Sequence, residues 1–465
     1  MRVLSYVRPA TADYFRTLTT RLFGADAVFT SDFSGLAELE IGPLFYRALH
    51  DRTPAPPELE TFRSDVTRRC RLLRAVPGER ANMLFDAMAV AVTKTLESAA
   101  PEIVMSITVD SYVVDLLRLA ASIRHVPFFG ISSFILNGYF LVTARGERND
   151  FRVPSDREAD AAVANLSQDS YRATYLSTDA GSPARVLRRW SREVMKLGYF
   201  PALRAIRRDP WNYHYRASEV IARTRADPRC LLAWAFEQRD WEDSLPSLRT
   251  PVVFHPMQYH PECNTDYWPR LGFADYESDL IDVLRSLDGQ FDILVKEHPL
   301  MFGSRPVRVY RELARIPGVT IVPHNVRARF LFDHCQVVLS WSGSVGIEAA
   351  ANGIGVVTLG SPYYASGEPF EDIPTRARLS DLSNAILRRA RSIATSDVRR
   401  DAMRRILANT MPGVIWSDAW SPKPRTAAEM EATALSVERY LPQWLAWRSN
   451  AGGAAPGSGA HDGTG

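Results

Sequence analysis

Three ionisable side chains, Lys296, Glu297 and His298, follow residues 291–295, an apolar run typical of a buried β-strand. Bringing three titratable groups to the end of a buried strand costs free energy unless a site uses them. One interpretation is that His298 and Lys296 contact a phosphate while Pro299 fixes the turn. The alternative is a salt bridge at the strand end with a histidine hydrogen-bonded to the backbone, and this stretch by itself leaves both open.

A second polar cluster follows a strand-like segment at residues 337–340. It consists of Ser342, Gly343 and Ser344 and leads into a predicted helix. Small residues there leave backbone N–H groups open to an anion, which the helix dipole favours. Glu348 lies about one turn further, where a carboxylate could accept hydrogen bonds from the two hydroxyls of a ribose. The alternatives are an ordinary N-cap serine and an exposed glutamate, and neither GxxxxGK[ST] nor GxGxxG is present.

A third cluster follows the strand-like residues 252–255 and includes His260 and Glu262. Two histidines five positions apart, His255 and His260, with a glutamate could indicate a metal. No cysteine or carboxylate set completes a recognisable ligand pattern. We therefore predict a polar loop that lines the site, with no bound metal.

In the first half of the chain, Asp110 follows residues 102–109, the most apolar strand-like run. A carboxylate at the carboxyl end of a strand could act as general base on an acceptor hydroxyl. The alternative is an N-cap for the following helix. Asp32, Asn137 and Glu147 are further candidates of the same kind.

The elements that must position these residues alternate between strand-like and helix-like segments over two long stretches, which predicts an α/β class with parallel sheets covered by helices. Two doubly wound, Rossmann-type domains facing across a cleft would place ligands at the carboxyl ends of the strands. The predicted organisation is an N-terminal domain over 1–154, a helical Arg- and Trp-rich insertion or connector over 155–249, a C-terminal domain over 250–425, a helix over 426–450 packing back on the N-terminal domain, and a disordered tail over 451–465.

Composition excludes several classes of protein. The chain has 465 residues, and Lys+Arg 56 against Asp+Glu 53 leaves a net charge of +3, too small to favour nucleic acid as a partner. No apolar run is long enough to span a membrane, and the N-terminus lacks the regions of a signal peptide. Cys70, Cys230, Cys263 and Cys335 form no CxxC pair, which favours a reducing cytoplasm. Residues 185–208 mix arginines with aromatic and aliphatic residues, typical either of a helix packed on a sheet or of one on a membrane surface.

In this order and spacing, the three C-terminal clusters resemble the bacterial capsular polysaccharide synthesis family, which includes the Kdo transferases of capsule export systems. The resemblance covers about residues 251–364 and departs from the family pattern where Gln258 and His260 are exchanged around Tyr259. It implies a metal-independent GT-B glycosyltransferase without a cofactor, whose co-substrate is a nucleotide-sugar, CMP-Kdo-like by preference. The acceptor would be a glycan or a lipid-linked molecule, at the inner face of the cell membrane in the latter case.

The resemblance also assigns roles to the candidate residues. The donor-binding set is Lys296, Glu297, His298, Pro299, Ser342, Gly343, Ser344, Glu348, His260 and Glu262. Within this set, the phosphate would lie on His298 and the serine turn, and Glu348 would hold the nucleotide. Asp110 and His298 would be the catalytic residues. A catalytically inactive capsule-assembly scaffold and a nucleotide-sugar epimerase of the same architecture stay open as alternatives.

Overall fold

The computed structural model of the chain describes residues 1–173, 182–244, 250–270, 273, 275–287, 289–392, 394–415 and 426–450. It divides into two compact units. The first contains residues 1–153 and the described residues from 407 onward. The second contains residues 154–172 and the described residues between 182 and 406.

The first unit is built on a seven-stranded sheet with the order β13-β6-β5-β4-β1-β2-β3. Its strands are β1 (Val3–Tyr6), β2 (Ala27–Ser31), β3 (Leu39–Glu40), β4 (Ile103–Ile107), β5 (Phe128–Ser133), β6 (Tyr139–Val142) and β13 (Thr410–Pro412). Strands β3, β2, β1, β4 and β5 are parallel, and Leu4 of β1 pairs with Val28 of β2 and Val104 of β4. Strands β6 and β13 add an antiparallel edge that the sequence pattern did not predict.

Helices cover this sheet, and most have the apolar spacing expected of a helix with one buried face. They are α1 (Ala12–Phe23), α2 (Ile41–Asp51), α3 (Pro57–Glu60), α4 (Arg63–Arg69), α5 (Arg71–Ala75), α6 (Gly78–Ala99), α7 (Tyr112–Ile123) and α19 (Ala427–Asn450), with a 3₁₀ turn at Gly24–Asp26. On α19, Val437, Leu441 and Trp444 are buried in the core of the first unit, where the Trp444 ring meets Phe129 edge-on at 5.0 Å.

The second unit contains a six-stranded, fully parallel sheet with the order β12-β11-β10-β7-β8-β9. Its strands are β7 (Val252–Pro256), β8 (Asp292–Lys296), β9 (Val319–Val322), β10 (Val337–Ser340), β11 (Gly355–Leu359) and β12 (Phe370–Ile373). The chain runs outward from β7 through β8 to β9 and then returns to the other side of β7 with β10. This reversal makes the gap between β7 and β10 the topological switch point, where ligands bind in doubly wound sheets.

The helices of the second unit lie around this sheet and in the segment before it. They are α8 (Asp156–Leu166), α9 (Pro183–Arg207), α10 (Tyr213–Arg225), α11 (Trp241–Ser244), α12 (Cys263–Asp266), α13 (Tyr276–Arg285), α14 (Val307–Leu313), α15 (Ala328–Phe332), α16 (Val345–Ala351), α17 (Leu382–Ala390) and α18 (Ser396–Leu407), with 3₁₀ segments at Pro228–Phe236 and Arg376–Asp381. Among the described helices, none is both long and apolar enough to cross a bilayer.

The division of the chain differs from the predicted boundaries in two places. The described part of 155–249 is helical but belongs to the second unit, because Val186 and Ala233 are buried in the core under its sheet. The chain returns to the first unit at 407 rather than at 426, because β13 pairs with β6 there. The predicted tail, 451–465, lies outside the described residues.

Candidate functional site

The three C-terminal clusters predicted from the sequence follow three neighbouring strands of the second unit. The loops after β7, β8 and β10 all leave the carboxyl edge of the sheet, on either side of the switch point. The residues that face each other there come from positions up to about 90 apart in the chain. We call this edge the polar edge and define it by Gln258, Lys296, His298, Ser344 and Glu348.

Glu297 anchors the loop after β8. Its buried carboxylate accepts hydrogen bonds from Arg305 Nε at 2.6 Å, from the Tyr310 hydroxyl at 2.7 Å and from the backbone N–H of His298 at 2.6 Å. Burial alone would raise the pKa of Glu297, but Arg305, Tyr310 and this N–H together hold it below its usual value. Both carboxylate oxygens are occupied, so Glu297 shapes the loop that carries His298.

Arg305 ties two of the loops together. Its fully buried guanidinium pairs with Glu297 and donates from Nη2 to the carbonyl oxygen of Gln258 at 2.7 Å. The loop after β7 is therefore held against the loop after β8 by one ionic hydrogen-bond network. Sequence reasoning missed Arg305, because nothing local distinguishes it from the many other arginines of the chain.

His298 presents one ring nitrogen to its surroundings as a hydrogen-bond donor. Its Nδ1 accepts from the backbone N–H of Leu300 at 3.2 Å, which assigns the proton of the neutral ring to Nε2. Burial, with further contributions from Lys296, Arg305 and Arg189, lowers the pKa of His298 to about 4. At neutral pH the ring is therefore an uncharged Nε2–H donor of the kind that can contact a phosphate oxygen.

Lys296 ends β8 with a side chain that is only 9% exposed. Burial lowers its pKa to about 8 against the opposing field of Glu297, Glu348 and Glu237. In the part of the chain that the structure describes, no carboxylate lies within ion-pair distance of its ammonium group. A buried cation without such a partner costs free energy that an anionic ligand would recover.

Glu348 on α16 is partly buried and electrostatically coupled to Lys296. Burial raises the pKa of its carboxyl to about 7, while Lys296 and Arg172 act in the opposite direction. The pKa values of Lys296, at the end of β8, and of Glu348, on the helix after β10, thus both lie close to neutral pH at the same edge of the sheet. Shifts of this kind are typical of functional sites.

The Glu348 pKa predicts a pH-dependent stability. Its folded value of about 7 lies above the ordinary 4.5, so the stability contributed by its protonation is full below about pH 4.5 and is lost as the pH rises through 7. Near pH 8 we expect the free energy of unfolding of Glu348→Gln to exceed that of the native chain by roughly 1–3 kcal/mol. Near pH 4.5 we expect little difference between the two. Urea unfolding at both pH values measures this, and exposed Glu58→Gln is the control. Equal stability of native chain and Glu348→Gln near pH 8 would contradict the assigned environment.

The serine turn after β10 is held by its neighbours. The Ser342 hydroxyl donates to the carbonyl oxygen of Asn264 at 2.6 Å, and the carbonyl of Gly343 accepts from the Tyr364 hydroxyl at 2.9 Å. Ser344 occupies the N-cap position of the seven-residue α16 but makes no side-chain cap. Among the described residues, its hydroxyl is the one in this turn without a hydrogen bond, so Ser344 is the serine available to a ligand.

Gly343 is required by the close approach of the loop after β7. A Cβ at this position would lie 2.5 Å from both terminal amide atoms of Gln258, which is buried. We expect Gly343→Ala to displace Gln258 and to lower the free energy of unfolding by about 1–3 kcal/mol. Gly78→Ala is the matched control, because no atom lies within 4 Å of its added Cβ. Chemical unfolding compares the two variants. A Gly343→Ala variant as stable as Gly78→Ala would show that the loops after β7 and β10 are not in close contact at this position.

The remaining residues of the predicted donor-binding set have structural partners. His260 Nδ1 lies 3.1 Å from the hydroxyl of Thr265, and Glu262 forms a capping box with the same threonine at the start of α12. Pro299 is partly exposed in the turn after His298. Within the described residues, no group of three or more His, Cys, Asp or Glu side chains is arranged to hold a metal ion.

A second residue that sequence reasoning missed comes from the arginine-rich helical segment. Arg225, at the end of α10, is buried and donates to the Tyr259 hydroxyl at 3.1 Å and to the carbonyl of His260 at 2.8 Å. The Tyr259 ring in turn meets the His298 ring edge-on at 5.7 Å. The segment predicted as an insertion or connector therefore supports the loop after β7.

Asp110 lies in the first unit, where both carboxylate oxygens are hydrogen-bonded by the two Nη atoms of Arg8. The N-cap of α7 is Ser111, which accepts from the N–H of Val114 at 3.3 Å, so the alternative of Asp110 as N-cap is wrong. Nearby, the Tyr6 hydroxyl donates to Asp32 at 2.6 Å. Arg8 is therefore the charged partner of Asp110 at this strand end.

Of the other first-half candidates, Glu147 accepts from the backbone N–H groups of Ala144 at 2.7 Å and Arg145 at 2.6 Å. Burial opposes ionisation of Glu147, but these N–H groups lower its pKa below the usual value. Glu147 therefore stabilises the turn at residues 144–147. Asn137 is exposed.

Two units built on largely or fully parallel sheets covered by helices confirm the predicted α/β class. Residues 264–368 match the family described as "Capsule polysaccharide biosynthesis protein", which confirms the predicted family resemblance for the segment that carries Lys296, His298 and the serine turn. No curated protein sequence matches the chain significantly.

The solved structures to which the chain is similar share little sequence with it. KpsC, a beta Kdo 2,7 transferase from Thermosulfurimonas dismutans, is 12% identical with a TM-score of 0.37, over 94% of this chain and 100% of that one. A beta Kdo 2,4 transferase of KpsC from the same organism is 15% identical with a TM-score of 0.31, over 71% and 86%. UDP-GlcNAc 2-epimerase from Methanocaldococcus jannaschii is 11% identical with a TM-score of 0.25, over 87% and 98%.

Proposed function

We propose that the protein is a glycosyltransferase that moves a sugar from a nucleotide-sugar to a capsular or surface polysaccharide or to a lipid-linked acceptor. A CMP-Kdo-like donor is favoured by the family resemblance. The observation that carries the proposal is that buried Lys296, which has no ion-paired carboxylate among the described residues, lies two residues from the neutral Nε2–H donor of His298 at the switch point of a parallel sheet. Both lie in the segment that matches the capsule biosynthesis family.

In the transfer step, the bond between the anomeric carbon and the donor phosphate oxygen breaks, and a bond from the acceptor oxygen to that carbon forms. The negative charge that develops on the leaving phosphate is stabilised by the Lys296 ammonium and the His298 Nε2–H group, which need no reorganisation because the Glu297–Arg305 pair fixes their loop. Ser344 adds a hydroxyl donor. Glu348, in its ionised form, accepts hydrogen bonds from the ribose hydroxyls of the nucleotide.

The acceptor hydroxyl must lose a proton, and Asp110 of the first unit is the proposed general base. Both of its carboxylate oxygens accept hydrogen bonds from Arg8. Asp110→Asn is the direct test. Loss of transfer with retained donor binding supports the assignment, whereas full activity removes Asp110 from the mechanism.

Donor binding can be measured without knowing the acceptor. We expect CMP or CMP-activated sugars, at about a hundred times their Kd, to stabilise the protein by about 2.7 kcal/mol, a shift of a few degrees in Tm. UDP, GDP and TDP and their sugars complete the panel. The shift is expected to disappear in His298→Ala and to persist in His50→Ala, a change at an exposed histidine of the first unit.

Each outcome of this panel decides a point. A rise in Tm with UDP or GDP instead of CMP would support a transferase that uses a different donor nucleotide. A shift that survives His298→Ala moves the phosphate away from the polar edge. If no nucleotide stabilises the chain, the catalytically inactive scaffold replaces the transferase.

A further inference from the structure

One helix of the second unit carries an unusual share of the exposed apolar surface. Among the described residues, eleven large hydrophobic side chains are exposed, and six of them lie on α9. They are Leu187 (55%), Val194 (40%), Met195 (71%), Leu197 (37%), Tyr199 (59%) and Ile206 (77%). A concentration of this kind on one element marks an interaction surface rather than the scattered exposure of an ordinary protein.

Helical spacing gathers five of these six residues on one face. Leu187 and Val194 lie seven residues apart, which is about two turns. Tyr199 and Ile206 lie four and eleven residues after Met195, and exposed small residues lie between these positions. We call this face, formed by Leu187, Val194, Met195, Tyr199 and Ile206, the apolar stripe. At 1.5 Å per residue the helix is about 38 Å long, so the stripe is extended.

The charges beside the stripe are all positive. Arg188 is exposed on the same face as Met195, Tyr199 and Ile206, and Arg192 is exposed beside it. Arg207 and Arg208 are exposed at the C-terminal end of the helix. Within the described residues, none of these four forms an ion pair. The acidic residue of the helix, Glu193, is buried on the opposite side and pairs with Lys196 at 2.8 Å. A partner for this face must therefore offer both an apolar interior and negative charge.

The opposite face of α9 is firmly attached to the second unit. Arg189 donates to the carbonyl oxygen of Phe302 at 2.5 Å, and Arg204 pairs with Glu219 of α10 at 2.6 Å. The Trp190 indole donates to the carbonyl of Ala226 at 3.0 Å. The stripe is thus the outer face of a helix that is already folded and fixed before any partner arrives.

We infer that the apolar stripe of α9 docks the protein on the surface of an anionic lipid bilayer. A basic, amphipathic helix lying in the plane of a membrane buries its apolar residues below the headgroups while its arginines contact lipid phosphates. A bilayer supplies both features that the stripe requires along its whole length. An acidic protein groove or a second copy of the chain are the competing occupants that the experiment must separate.

The position of α9 gives the docking a consequence for the polar edge. Phe302, which accepts from Arg189, lies four residues after His298 in the same loop. Within the second unit, the helix that contacts lipid therefore also supports the loop of the proposed donor site. A lipid-linked acceptor would be delivered to the unit that carries the proposed donor site.

The experiment is flotation of the full chain with vesicles of phosphatidylcholine, with and without about 30% phosphatidylglycerol. We expect binding to the anionic vesicles, weakening as salt rises, and at least about tenfold weaker binding to the neutral ones. Met195→Glu with Ile206→Glu is expected to reduce binding to anionic vesicles at least tenfold, and so is Arg188→Glu with Arg192→Glu. All four positions are exposed, so the variants should unfold at the native Tm.

Matched controls place the same changes elsewhere. Leu435→Glu introduces a charge at an exposed apolar residue of α19, and Arg47→Glu with Arg311→Glu reverses two exposed charges. Both are expected to bind like the native chain. Absence of native binding to anionic vesicles, or equal binding by stripe and control variants, overturns the inference. So does a dimer in sedimentation velocity that Met195→Glu with Ile206→Glu dissociates, since the occupant is then a second copy.

Vesicle binding requires no nucleotide and no turnover. A protein that binds vesicles but no nucleotide-sugar would support the docking surface and contradict the transferase proposal. A protein that binds a nucleotide-sugar but no vesicles would support the transferase proposal and contradict the docking surface.

Discussion

Replacing Lys296 with methionine is expected to lower kcat/KM for sugar transfer by about 10²–10³-fold, because the variant loses a preorganised cation where charge develops on the leaving phosphate. Methionine has a similar length and no charge, so it fills the same buried space at the end of β8. Removing a buried cation without an ion-paired carboxylate should leave the free energy of unfolding unchanged or raise it. Activity is thus expected to fall without a loss of stability, a result that unfolding of the variant cannot produce.

The measurement pairs steady-state kinetics with urea unfolding on the same preparations. Lys94→Met, at an exposed position on α6, is the matched control and should resemble the native chain in both. The Lys296 pKa of about 8 adds a pH dependence: donor affinity should fall as the pH rises through this value, since the neutral amine no longer attracts phosphate. A Lys296→Met variant that keeps full activity would move the phosphate site away from β8.

Replacing Arg305 with methionine is expected to lower the free energy of unfolding by about 3–5 kcal/mol, because it leaves the Glu297 carboxylate buried and without its cation. The change also removes the hydrogen bond to the Gln258 carbonyl, so the loops after β7 and β8 are no longer tied together. We expect donor binding to be lost even under conditions in which the variant is still folded.

The double variant Glu297→Gln with Arg305→Met distinguishes the charge from the packing. A neutral amide no longer needs a cation, so the double variant should recover part of the stability lost by Arg305→Met alone. Arg308→Met is the matched control, because its side chain on α14 is largely exposed. If Arg305→Met costs no more than Arg308→Met in chemical unfolding, the Glu297–Arg305 pair does not hold the polar edge.

Much of the architecture could be predicted from local patterns. Apolar runs predicted strands at 291–295 and 337–340, and the structure has β8 (Asp292–Lys296) and β10 (Val337–Ser340). A strand covered by helices on both faces needs apolar residues on both faces, so it forms a continuous apolar run. Such a run can be recognised from a few consecutive residues. The order of the polar clusters also predicted the resemblance to the capsule polysaccharide biosynthesis family, which residues 264–368 match.

The antiparallel edge of the first sheet is a different case. β6 pairs with β13, which lies about 270 residues later in the chain, and β13 is only three residues long. A strand this short has no periodicity to detect, and its partner is decided by how the chain returns to the first unit. The boundary at 407 was missed for the same reason.

The tertiary structure also decided which polar residues of each cluster are available. The sequence placed Lys296, Glu297 and His298 together in the predicted donor-binding set. In the fold, Arg305 and Tyr310 occupy Glu297, whereas no carboxylate among the described residues forms an ion pair with Lys296. Residue types and spacing determined where the polar edge lies, because strand ends are set by the local sequence. Burial and partners determined what each side chain can do there, because both depend on residues that meet only when the sheet has formed.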